Sequence, residues 1–311
     1  MATLLVTHPA ALAHLNPPGH PERAERLRAI AAALAAPRFA ALDRQEAPLA
    51  PEAEVLRCHA ADYLAAVKAA RPEGDARVQL DPDTWMSVGS FEAALRAIGG
   101  AELAVDAVLS GAAANAFVAM RPPGHHAETG RSMGFCLFGT VAIAARYALD
   151  RHGLSRVAVL DFDVHHGNGT QDLLRDEARA MFVSSQQFPL WPGTGAADER
   201  GPHGQIVNLP LPPGSGGAEM RAAWEPALAR VAAFRPELIL VSAGFDAHRD
   251  DPLTDLRWSE VDYAWLTGAI CALARDVCGG RVVSCLEGGY DLSALAASVA
   301  AHLDVLMERG A

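Results

Sequence analysis

The sequence predicts an α/β protein with three layers, a mostly parallel central sheet between two layers of helices. Three observations predict it. Short β-branched or apolar runs alternate with longer Ala/Leu/Arg stretches of helical period along the whole chain. The short runs are continuously apolar rather than alternating, as expected of parallel strands buried on both faces. The chain has 311 residues, half of them hydrophobic, enough for one large core. No linker, low-complexity tract or internal repeat breaks the alternation, so one domain over 1–311 is expected.

Taken in order, strands are expected at 3–7, 116–120, 156–160, 180–184, 238–242 and 281–286. Helices are expected near 21–36, 60–70, 90–109, 139–152, 218–234, 259–277 and 291–308. Gly111 and Gly153 fall where left-handed helix caps belong. Glycine and proline gather at 121–134, 189–204 and 210–217, which read as loops.

Charge and targeting signals narrow the partners. With 26 basic against 37 acidic residues the net charge is −11, and Lys68 is the one lysine. Binding to a polyanion needs clustered Lys/Arg to displace counterions, and the arginines here are scattered. Nucleic acid and anionic membranes are therefore not expected partners. The first residues carry no basic n-region or small-residue cleavage pattern, and no apolar run approaches the roughly 18 residues of a spanning helix. The five cysteines form no CxxC pair and read as small buried hydrophobes, consistent with a reducing cytoplasm.

Chemistry concentrates behind four of the strands, where open parallel sheets bind ligands. The run VAVLDFDVHHGNGTQ delivers Asp161, Asp163 and His165 at alternating positions, which an extended chain directs to one side. LILVSAGFDAH adds Asp246, FVAMRPPGHH adds His125 and His126, and VSCLEGGYD adds Tyr290 behind two glycines. Asp163, His165 and Asp246 would offer three N/O ligands with an open fourth position, the pattern of a catalytic zinc. Singly, each residue has a plainer reading. An Asp after a strand is usually a cap, a His pair a satisfied polar pair, and a Tyr an amphipathic core residue. The DxDxH spacing and the convergence of four strand ends make the functional reading stronger.

The segments RPPGHHAETGRSMGFC, DFDVHHGNGTQ, SAGFDAHRDDPL and LEGGYD, with HPERAERL at 20–27, resemble the histone deacetylase superfamily. The resemblance is to its class II-like branch of bacterial deacetylase-like amidohydrolases and acetylpolyamine amidohydrolases, and it runs from about residue 8 to 300. It implies an arginase/deacetylase fold and zinc-dependent amide hydrolysis. By motif position it makes Asp163, His165 and Asp246 the zinc ligands, His125 and His126 the tandem histidines, and Tyr290 the catalytic tyrosine. Asp161 would orient His125. Asn168, where other branches carry Asp, would orient His126 without supplying a charge, leaving His126 less basic than with Asp behind it. His126 would then be the base and His125 an electrostatic partner. Gly134, Phe135, Trp191, Leu253, Gly288 and Gly289 would line the substrate channel, with Trp191 in place of the commoner Phe. Leu253 stands where polyamine-specific members can carry an acidic residue. A structural potassium ion, or another monovalent cation, would sit among Asp161, Asp163, His165, Ser184 and Ser185.

The expected activity is hydrolysis of N-acyl-lysine in a peptide or protein, or of a small N-acyl amine. Three alternatives remain at this level: an acetylpolyamine deacetylase, a binuclear manganese ureohydrolase on the arginase fold, and an inactive acyl-amine binding protein. Two carboxylates and one imidazole do not separate zinc sharply from iron or cobalt. The physiological substrate and the oligomeric state are not legible.

Overall fold

The computed structural model describes residues 1–310. In chain order its first elements are β1 (Thr3–Thr7), α1 (Glu25–Ala33), β2 (Asp43–Glu46), α2 (Glu52–Val55), α3 (Ala61–Ala69), β3 (Val78–Asp81), β4 (Thr84–Met86), α4 (Ser90–Ser110) and β5 (Asn115–Val118). Next come α5 (Thr140–Arg151), β6 (Val157–Asp161), α6 (Asn168–Leu174), β7 (Ala180–Gln187) and β8 (Ile206–Leu211). The chain ends with α7 (Gly217–Phe234), β9 (Leu238–Ala243), α8 (Glu260–Cys278), β10 (Val282–Leu286) and α9 (Leu292–Gly310).

Eight strands form one sheet in the order β2-β1-β5-β10-β9-β6-β7-β8. Every pairing in it is parallel. The alternation of side chains splits the apolar strands between two cores. Leu4, Val6, Val118, Val157, Val159 and Leu240 face α4 and α5. Leu5, Phe117, Leu160, Val241 and Val282 face the layer of α1, α7, α8 and α9. Both faces are covered, which is why these strands read as unbroken apolar runs.

The six expected strands are present, and so are the seven long helices; the first begins at Glu25 rather than near 21. The two edge strands were not expected. The four β2 residues are all exposed and all charged or amide, and β8 carries Pro210, features that keep an edge strand from recruiting a further strand. The β3–β4 hairpin, α2 and α6 were also not expected; the longest of them, α6, has seven residues. Gly111 caps α4 at φ +76°, and Gly153 turns the chain after α5 at φ +68°. The five cysteines are free; four are buried and Cys58 is half-buried.

The strands that carry the DxDxH, GFD, PGHH and EGGY segments are β6, β9, β5 and β10, which are contiguous in the sheet. Being parallel, they present their carboxyl ends together, so residues up to 165 positions apart in sequence (His125 to Tyr290) meet at one edge.

One buried histidine ties the α8–α9 layer to the sheet. His302 is 1% exposed, with Nδ1 2.7 Å from the Thr267 hydroxyl and Nε2 3.0 Å from the Ser284 hydroxyl. Burial pushes its pKa down to about 3, against about 6.5 in the unfolded chain. The unfolded state therefore binds the extra proton first. The neutral ring's contribution is complete above about pH 6.5 and is lost as pH falls toward 3. Denaturant unfolding at pH 7 and pH 5 should show wild type losing about 2 kcal/mol more than His302→Gln. Equal losses would remove His302 from the acid response.

Candidate active site

Asp161 is the last residue of β6, and the chain bends immediately after it. Extended geometry therefore ends where the DxDxH alternation begins to matter. The side chains nonetheless divide as an alternating strand would divide them, with Phe162 and Val164 in the core and Asp163 and His165 at the site. Carboxylates take the place of strand partners: Asp163 N–H donates to Asp161 Oδ1 at 3.1 Å, and His165 N–H to Asp163 Oδ1 at 2.9 Å. Val164 N–H donates to Asp246 Oδ1 at 2.9 Å, and Gly288 N–H to Asp163 Oδ2 at 2.9 Å. Gly244 and Gly288 are required by closeness, since a Cβ at either would collide with the Asp163 or Asp246 carboxylate.

The three expected ligands converge. His165 Nδ1 lies 3.2 Å from Asp163 Oδ1 and 3.1 Å from Asp246 Oδ2, and one donor atom of each residue falls within 4.8 Å of the others. A tetrahedral ion with bonds of about 2.1 Å holds its donors about 3.4 Å apart, so the set fits a single zinc-sized cation. Without one, burial and the neighbouring Asp163 charge push Asp246 up to about 7, and against burial the two carboxylates pull His165 up to about 10. The site's electrostatics thus call for a cation among these groups. Beside it, the hydroxyls of Ser184 and Ser185 are buried without a hydrogen-bond partner, and the Asp161 carboxylate lies at the end of the adjacent strand, opposite Ser184 in register.

The histidines arrive on the loop after β5 with ring centroids 3.9 Å apart. Their surroundings differ. His125 Nδ1 lies 2.9 Å from Asp161 Oδ2, and its Nε2 3.7 Å from Asp163 Oδ2. Burial opposes charging this ring, but Asp163, Asp161 and Glu287 together outweigh it and hold its pKa well above the ordinary value. His126 Nδ1–H donates to Asn168 Oδ1 at 2.7 Å. Burial, then the charges of His125 and His165, hold its pKa well below the ordinary value. The two adjacent rings are thus driven apart in basicity, His125 upward and His126 downward.

Tyr290 lies beyond Gly289, whose φ of +117° suits glycine. Burial, with Asp246 nearby, raises its hydroxyl pKa well above the usual value, so the phenol keeps its proton. Phe135 packs edge-on to Tyr290 at 5.8 Å, and Trp191 edge-on to His126 at 4.7 Å. These two aromatics, with Gly134 and Leu253, line a cavity of about 210 Å³ that Tyr290, His126 and His165 also reach. The wider indole closes over His126 yet remains 42% exposed, forming part of the rim.

Four residues of the site were missed in the sequence. Arg26 donates to the carbonyls of Gly289 (2.6 Å) and Glu287 (2.5 Å) and stacks its guanidinium 5.1 Å from the Tyr290 ring. It pairs with the buried Glu22, which is also held by Arg121. Glu287 accepts from Gly124 N–H at 2.7 Å and His125 N–H at 3.2 Å, fixing the histidine loop. Asp83 lines the cavity and accepts from Gly134 N–H at 3.0 Å. Glu128 accepts from Asn168 Nδ2 at 2.7 Å. HPERAERL contains Glu22 and Arg26, RPPGHHAETGRSMGFC contains Arg121 and Glu128, and LEGGYD contains Glu287, but none of these segments signalled a role for them, and no segment covered Asp83.

Comparisons with known proteins agree with this geometry. The histone deacetylase domain family matches residues 20–306. "Histone deacetylase 14, chloroplastic" of Arabidopsis thaliana is 39% identical, covering 98% of this chain and 77% of that protein. The "Histone deacetylase-like amidohydrolase" of Pseudomonas aeruginosa is 39% identical (92% and 74%), and the "Probable deacetylase" of Archaeoglobus fulgidus 38% (94% and 82%). Among solved structures, that of the HDA15 HD domain superimposes with a TM-score of 0.91 at 33% identity, covering 99% of this chain and 88% of that one.

The donor set makes metal binding measurable apart from turnover. Zinc added to metal-stripped protein at about 100 times its Kd should raise stability by about 2.7 kcal/mol, which is a Tm increase of about 4 °C for a chain of this size. Asp246→Asn should abolish most of that shift. A shift retained in full by this variant would place the metal elsewhere.

Proposed function

The chain belongs to the histone deacetylase family, and on that premise we propose that it is a zinc-dependent amidohydrolase. It removes acetyl or other acyl groups from N-acylated lysine side chains or from small N-acyl amines. One observation carries the reading: His165 of a three-donor metal set, His126, whose pKa is held low, and Tyr290, whose hydroxyl keeps its proton, line one aromatic-walled channel.

Zinc held by Asp163, His165 and Asp246 would supply Lewis acidity at the substrate carbonyl and make water acidic enough to ionise near neutral pH. The chain's own groups account for the rest. His126, with Nδ1–H committed to Asn168, offers Nε2 to the attacking water and takes its proton as a C–O bond forms. The C–N bond then breaks, and the proton passes from His126 to the departing nitrogen, giving a carboxylic acid and an amine, which leave as carboxylate and ammonium once the acid's proton has moved to the amine. His125, paired with Asp161, keeps its positive charge throughout and stabilises the negative charge that develops. Tyr290 donates its O–H to the carbonyl oxygen as it becomes an oxyanion. Gly288 lets that corner lie close against the Asp163 and Asp246 carboxylates, and Gly289 packs against Phe245 and Leu295. Phe135 and Trp191 exclude water from both sides of a linear acyl-amine chain.

A monovalent cation, potassium by our assignment, lies among Asp161, Asp163, His165, Ser184 and Ser185. The partnerless buried hydroxyls of the two serines support this, because such groups need a ligand. The order of substrates, acyl-lysine before acylpolyamine, rests on Leu253, which offers no carboxylate to a distant second ammonium. Residence in the cytoplasm rests on the free cysteines; no helix among the described residues is long and apolar enough to cross a membrane.

Tyr290→Phe should lower kcat about 10²- to 10³-fold while zinc content is unchanged. Undiminished hydrolysis of an acetyl-lysine peptide by that variant overturns the mechanism. Assayed on metal-defined enzyme, wild type should turn over the acetyl-lysine peptide faster than acetylputrescine. The reverse order identifies a polyamine deacetylase, two transition-metal ions per chain a ureohydrolase, and no turnover of any acyl amine a binding protein.

A further inference from the structure

Asn168 stands behind the neutral histidine, and an asparagine can face its partner in two ways. With Oδ1 toward His126, the ring must donate from Nδ1 and leaves the Nε2 lone pair free to take a proton. With the amide NH₂ toward His126, the ring must accept at Nδ1, and its proton moves to Nε2, where it blocks that role. His126 does not decide between them, since a neutral imidazole satisfies either. Asp in this position, having two acceptor oxygens, presents no such choice.

The deciding contact lies on the far side of the amide. Asn168 Nδ2 donates to Glu128 Oε1 at 2.7 Å, while its other contacts there, the Met133 sulfur at 3.3 Å and the His126 carbonyl at 3.5 Å, are longer and weaker. An ionised carboxylate accepts and cannot donate, so it admits only the NH₂ end of the amide. Glu128 is itself held in place. Its N–H donates to the Arg131 carbonyl at 3.0 Å, closing a short bridge, and its carbonyl accepts from His59 Nδ1 at 3.0 Å. Its carboxylate lies on the wall of a polar cleft of about 620 Å³ that opens to solvent away from the substrate channel. There it acts on the amide without bringing a second negative charge against His126.

We propose that Glu128 is a positioning residue. By fixing which end of the Asn168 amide faces inward, it selects the Nδ1–H tautomer of His126 and so leaves Nε2 available as the base. The kinetic consequence rests on the deacylase reading above; the tautomer itself does not.

Glu128→Ala should lower kcat about 10- to 100-fold, the usual loss when a group orienting a catalytic histidine is removed, with KM nearly unchanged. Glu128→Gln, whose Oε1 still accepts from the amide, should stay within about threefold of wild type. In an Asn168→Asp background, Glu128→Ala should cost nothing, because Asp needs no orienting and the like charge of Glu128 is gone. Equal losses in both backgrounds, no loss in wild type, or Gln as damaging as Ala each overturn the proposal. The second arm needs no turnover. In ¹⁵N spectra of histidine-labelled protein, with His126 assigned through His126→Ala, wild type should show Nδ1 protonated, and Glu128→Ala should gain the Nε2–H form. An unchanged spectrum overturns the proposal. Hydrolysis absent from every protein, with the tautomer shift present, instead fails the deacylase reading alone.

Discussion

Buried negative charge at the carboxyl ends of four strands governs this structure. Asp161, Asp163, Asp246 and Glu287 are all at most 1% exposed and lie around one histidine pair. Unpaired carboxylates so buried would each cost several kcal/mol, so what surrounds them is compensation. Backbone N–H groups of Asp163, Val164, His165, Gly288, Gly124 and His125 all point at these oxygens. The loops are shaped as donors to carboxylates first, and their path across the sheet edge follows. The contrast between His125 and His126 has the same origin: one ring faces the acids, the other faces an amide and two rings that tend to be positive.

Much of this was legible because parallel strands buried on both faces leave a strong sequence signal. The central strands and long helices could be read within a few residues, and the chemistry-bearing segments stood out as polar residues at the ends of apolar runs. The edges were not legible. Asp43–Glu46 has nothing apolar to mark it, because its role in the sheet is carried by backbone hydrogen bonds alone. The period-two argument for Asp161, Asp163 and His165 reached the right grouping although the chain is not extended there; the core's demand for Phe162 and Val164 imposes the same division.

Arg26, Glu22 and Arg121 illustrate what a sequence conceals. Their importance lies in tertiary partners 99 and 263 residues away: a fully buried ion-pair cluster bonded to the carbonyls of Glu287 and Gly289. Without those contacts in view, an arginine in a first helix is an ordinary surface residue. Glu128 and Asp83 were hidden in the same way, since each bonds to a group distant in sequence, the Asn168 amide 40 residues on and the Gly134 N–H 51 residues on.

The strand order has one more consequence, for how the chain is made. β10, the last strand in sequence among the described residues, lies inside the sheet, between β5 and β9. Before residues 282–286 leave the ribosome, β2-β1-β5 and β9-β6-β7-β8 are two half-sheets with no shared hydrogen bond. The three candidate metal donors, Asp163, His165 and Asp246, belong to one half, and the histidine pair follows the other. The strand that joins them also brings the tyrosine. Assembly is thus non-local and late, with the low folding speed that such topology entails. A chain that stops before β10 holds the parts of the candidate site apart.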